Sequence, residues 1–98
     1  MEALLISTDN KKRKLNVTTF IEAKLLVCNY NSDATVQVVE LIDGNVLMFD
    51  EEGKLKDLSF NEIATNLAHV GRGIYPSDFI VGDVLMLEHD EFINLPYE

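Results

Sequence analysis

One cysteine, few bases and no long apolar run are the shortages that frame this chain. Cys28 has no partner for an internal disulfide and no second thiol for a metal knuckle, which fits a reducing compartment. No apolar stretch approaches the ~20 residues needed to cross a bilayer. The first residues also lack the basic stretch, apolar core and small-residue cleavage site of a secretion signal. The expected location is cytoplasmic, with no membrane partner.

Bases are scarce and unevenly placed. Residues 1–30 hold five of them against three acids, while residues 31–98 hold three against fourteen, for a formal charge of −9 overall. An acidic surface repels phosphate backbones, so direct nucleic-acid binding is disfavoured and the expected partner is a protein. The plain reading of the acids is a solvated surface. The sharper one is an acidic face that meets a basic partner or imitates DNA, as an anti-restriction inhibitor would.

What is present describes one folded unit. A hydrophobic fraction of 47% with 26% charged residues is an ordinary globular balance, and 98 residues enclose a single core. The domain is read as residues 1–98, with 89–98 a loose tail in which Phe92, Ile93 and Leu95 dock.

The elements follow from local pattern. Residues 3–7 form an apolar strand, residues 9–14 a polar turn carrying Lys11, Lys12, Arg13 and Lys14, and Leu15 with Val17 the start of a returning strand. Thr19 and Glu22 match a capping box opening a first helix. Ile21, Leu25 and Cys28, beside Phe20, Val27 and Tyr30, spread apolar residues over so much of that helix that it should be largely covered. A second hairpin turns at Asp43 and Gly44, where Gly44 supplies the positive φ of a primed turn. An acidic turn ends at Gly53. Ser59 with Glu62 forms a second capping box and opens a helix that stops near Gly71. Residues 79–81 and 84–87 read as strand, with Gly82 a bend between them. The order is ββαββαβ: an α+β domain with a mainly antiparallel sheet and two helices packed on it. The region from Leu85 to Ile93 is read as an edge that could receive a second copy.

No assembled catalytic set is legible. Asp50, Glu51 and Glu52 are consecutive and point in different directions, so they and His89 are weak metal candidates and a solvated turn explains the acids. His69 and His89 lack the i, i+4 spacing of a zinc helix. Cys28 falls on an apolar stripe with no base beside it, as a buried thiol does. The amides of residues 71–73 could cradle an anion but follow a helix rather than open one. Tyr75 and Phe79 flank Pro76 and read as core anchors or an exposed apolar spot. Asn61 is placed to bond back to the preceding turn and hold residues 53–58 against the second helix. Gly44, Gly53, Ser59, Asn61 and Gly82 are thus structural residues, and no cofactor is implied.

The run Glu52-Gly53-Lys54, then Leu58, Asn61 and Ala64, then Ile80-Val81-Gly82-Asp83-Val84-Leu85 resembles a small family of unknown function found in phages, plasmids and conjugative elements. The resemblance implies a mobile-element setting and brings no catalytic residue or cofactor. The reading is therefore of a non-enzymatic accessory module acting by protein contact. The acidic DNA mimic and a small metal-dependent hydrolase built on Asp50, Glu51, Glu52 or the histidines are the alternatives.

Overall fold

Five antiparallel strands form one sheet in a computed structural model that describes residues 1–98. The elements run β1 (Glu2–Ile6), β2 (Lys12–Asn16), α1 (Phe20–Val27), β3 (Val36–Glu40), β4 (Asn45–Asp50), α2 (Glu62–Val70), β5 (Val84–Glu88) and α3 (His89–Ile93). Their order across the sheet is β2-β1-β5-β4-β3. The expected ββαββαβ succession holds, with a short third helix added.

The sheet is covered on both faces. Ala3, Leu5, Val46, Met48, Leu85 and Leu87 point to one side, where Ala23, Val27 and Cys28 of the α1 segment close a first core. Ile6, Leu47, Phe49 and Val84 point to the other, where Ala64 and Ala68 of α2 close a second. This explains why Val46, Leu47, Met48 and Phe49 are all buried. A strand covered on both faces reads as a continuous apolar run instead of an alternating one.

Four local expectations are corrected. Of the four basic residues only Lys11 lies in the connection: Lys12, Arg13 and Lys14 lie within β2, where an edge strand leaves charged side chains solvated. The region from Leu85 is not an edge, because β5 is the central strand between β1 and β4. Residues 79–81 make only an isolated bridge, Phe60 with Val81. The second hairpin closes through three residues: Gly44 N–H donates to Leu41 C=O, Leu41 N–H to Asn45 C=O, and Gly44 takes φ +92°. That is a type I turn with a bulge, so Gly44 has the expected positive φ but the turn is not a primed one.

The tail is part of the fold. Pro96 and Tyr97 carbonyls accept the Phe20 and Ile21 amides, two of the donors that a helix start leaves free. Phe20 stacks on Tyr97 with ring centroids 5.6 Å apart. Thr19 Oγ1 accepts Glu22 N–H as a cap should, although the Glu22 carboxylate returns to Thr18 N–H, one residue early.

Asn61, not Ser59, caps α2. Its Oδ1 accepts Ala64 N–H at 3.0 Å, while its Nδ2 donates to Ile6 C=O at 3.0 Å and Gly82 C=O at 2.9 Å. Ser59 is exposed and held extended, its carbonyl accepting Gly82 N–H at 2.8 Å. Asn61 therefore ties α2 to the end of β1 and the approach to β5, rather than to residues 53–58. Gly82 takes φ +80°, where any side chain is strained, and a Cβ there would also push aside Leu58 Cδ1 at 2.8 Å. Gly53 is buried beneath Val81 at the end of the acidic turn.

Asn61→Ala removes a cap and strands two buried carbonyls, a loss of roughly 3–5 kcal/mol. Ser59→Ala should change stability by less than about 0.5 kcal/mol. Urea denaturation of both variants checks the assignment, and the reverse ranking would restore Ser59 as the cap.

Candidate functional site

Only Glu22 and Lys24 among the eight residues of α1 are charged. Ala23 and Val27 are buried against the sheet, but Ile21, Leu25 and Leu26 remain half-exposed. The helix is largely covered, as expected, with only Glu22 of its eight residues exposed, but one side is covered less than the other. Those three residues, with Leu15 of β2 and Tyr30, line an open groove of about 540 Å³ between α1 and the β2 edge. Thr19 and Glu22 form its polar rim.

Tyr30 is held there by an unusual helix end. Cys28 N–H bonds to Lys24 C=O, and Tyr30 N–H reaches back to Leu25 C=O at 2.8 Å. Asn29 takes φ +53° and Tyr30 φ +61°. Asn is a common left-handed helix stop, whereas a bulky aromatic residue there is strained. Tyr30 is nonetheless 73% exposed, so core packing does not account for its conformation.

The weak metal candidates do not converge. Asp50 is buried on the α1 side, its Oδ1 accepting Glu52 N–H and its Oδ2 accepting Lys56 Nζ at 2.7 Å. The Asp50 carboxylate in turn holds the Lys56 pKa above its ordinary value. Glu51 accepts the Thr35 hydroxyl, and Glu52 is exposed. His89 lies at the far end of β4, its Nε2 3.6 Å from Glu40 Oε1 and its Nδ1 3.4 Å from Asp90 Oδ1, in an open cleft with Asp43 and Glu88. No three His, Cys, Asp or Glu residues are grouped closely enough to share a metal ion. Eight of the seventeen acids divide between opposite ends of the sheet: Glu40, Asp43, Glu88 and Asp90 at one, Asp50, Glu51, Glu52 and Asp83 at the other.

Other predicted sites resolve into structure. His69 Nε2 lies 2.8 Å from Asp78 C=O. The Arg72 and Gly73 amides donate to His69 and Ala68 carbonyls, so no free cradle of N–H groups awaits an anion. Cys28 is buried, and desolvation first, then the Asp50 charge, raises its pKa above the usual thiol value. Phe79 is not a core anchor: it pairs with Phe60 at 6.2 Å under Lys54 Nζ, and Tyr75 is exposed. The groove itself went unnoticed in the sequence. Its signal was an all-round apolar helix too short of charge to face water.

No protein-family model, curated protein or solved structure matches this chain.

Lys54 pairs with Asp78, and with the Phe79 N–H it holds the Asp78 pKa below the ordinary carboxylate value. A depressed carboxylate stabilises the fold above its unfolded pKa and loses that contribution as pH falls through its folded one. Both side chains are partly exposed, so the pair contributes about 0.2–1 kcal/mol after solvent screening. Lys54→Met should therefore melt lower than the parent at neutral pH, with the gap closing below pH 3.8. A gap that widened in acid would contradict this assignment.

Proposed function

We propose that the protein is a non-enzymatic interaction module that docks a partner protein on the α1–β2 groove. The observation carrying this reading is the half-exposed apolar side of α1, with Tyr30 kept outward in a strained left-handed conformation. An apolar helix side costs solvation unless something covers it at least part of the time. Strain held by a residue with little packing of its own is found where function requires it.

The acids support a solvated surface better than a decoy. A phosphate mimic needs its carboxylates along one face, and eight of these divide between opposite ends of the sheet. The hydrolase reading draws no support from residues that stay apart. The likeness of residues 52–64 and 80–85 to phage, plasmid and conjugative-element proteins supplies the setting: a cytoplasmic accessory protein of a mobile element.

Two variants test this. Leu25→Glu places a charge in the groove. Tyr30→Gly relieves left-handed strain of roughly 1–2 kcal/mol while raising unfolded-state entropy, so net stability should stay within about 1 kcal/mol of the parent. Affinity capture from cells carrying the gene should recover a discrete partner with the parent chain and lose it with both variants. Capture indifferent to both, or steady turnover of ester, phosphoester or nucleotide substrates by the pure protein, would overturn the reading.

A further inference from the structure

We propose that the occupant of this groove is an extended acidic segment of the partner, added to the outer edge of β2 as a sixth strand with apolar side chains turned into the groove. This rests on the docking reading above and names the chemistry of what docks.

β2 stands at the end of the sheet with β1 as its only neighbour. Ser7 N–H donates to Lys11 C=O and Val17 N–H to Met1 C=O. Bonded and non-bonded pairs alternate along an antiparallel ladder. With Leu5 opposite Arg13 and Ala3 opposite Leu15, those two residues bond inward to β1. Lys12, Lys14 and Asn16 then present their N–H and C=O groups outward, spaced to receive another strand. The opposite edge is less open, since the loop at Gly71 and Gly73 packs against Leu41 and Val39 beside β3.

Charge selects the occupant. Lys12, Arg13 and Lys14 are exposed and none of them makes an ion pair, in a chain with seventeen acids and eight bases. A second copy pairing β2 with β2 would bring like charges together, which disfavours it. An acidic strand meets complementary charge. The overall charge of −9 does not prevent this. Glu2 lies opposite Asn16 and Glu22 on the groove rim, against the three bases, and the acidic cleft at His89 begins at Glu88 of β5, two strand spacings or about 9–10 Å away. The field of exposed charges decays over about 8 Å at physiological ionic strength.

The register specifies the ligand further. Lys12 and Lys14 share the face of Ile6 and Leu4, while Arg13 and Leu15 share the α1 face. The docked strand should alternate, with acids beside the two lysines and, on the other face, a residue that enters the groove past Leu15.

The test is fluorescence anisotropy of a labelled, end-blocked Glu-Val-Glu-Leu repeat peptide titrated with the full chain. Its Lys-for-Glu counterpart and an oligothymidylate are run beside it. The acidic peptide should bind, weaken with added salt, and shift the Lys12, Lys14 and Asn16 amide resonances. The double variant Lys12→Glu, Lys14→Glu should fold normally, both side chains being exposed, and bind about tenfold more weakly. Equal binding by the basic peptide, indifference to the double variant, preference for the oligonucleotide or no binding of the acidic peptide overturns the proposal. If that happens while partner capture still depends on Leu25 and Tyr30, the groove remains a docking site and only the acidic strand is refuted. If capture fails too, both readings fall.

Discussion

The Asn61 carboxamide bonds at once to the first turn of α2, to the last residue of β1 and to Gly82 just before β5. The carbonyls it serves lie where β1 and β5 begin to pair, at Ile6 opposite Val84. Thr65 adds a second clasp one turn on, its hydroxyl accepting Ile80 N–H and donating to Ile80 C=O. A buried polar network of this kind is favourable only when every member is satisfied. Here it is, because no buried side-chain polar atom lacks a partner. Side-chain bonds thus fix the start of α2 on one face of the sheet, while Ala64 and Ala68, flanked by Ile63 and Leu67, supply its apolar contact.

The other face is built differently, and that difference shapes function. α1 docks through small and apolar residues and through the tail, whose carbonyls and Tyr97 ring occupy the helix start. These contacts secure one flank and the N-terminal end. Nothing of the chain lies beyond β2, so the remaining flank faces water between Leu15 and Tyr30. An edge strand of lysine and arginine beside an apolar groove is well protected against its own copies and open to a partner of opposite sign.

Much of the architecture was legible because local signals agreed. Hairpin spacing, Gly44 with its positive φ, the Thr19 cap and the buried Cys28 each follow from residue type and position. The errors arise where a distant segment decides. Ser59-x-x-Glu62 and an Asn at 61 are both plausible helix starts. The bridge between Phe60 and Val81 keeps Ser59 extended and gives the start to Asn61. Residues 84–87 read as strand but could not reveal that they would lie centrally. α3 has no side-chain cap to announce it. The groove was hidden for a related reason: an all-round apolar helix says that it needs cover, while only the sheet order says which side is covered less.

Native-state hydrogen exchange on the free protein tests most directly whether the β2 edge is vacant and rigidly presented. The Asn61, Ala64 and Thr65 amides should exchange only with global unfolding, while those of Lys12, Lys14 and Asn16 should exchange nearly as fast as in an open chain. Strong, concentration-dependent protection of the three β2 amides would contradict a vacant edge, because it would then already be filled by another copy of the chain.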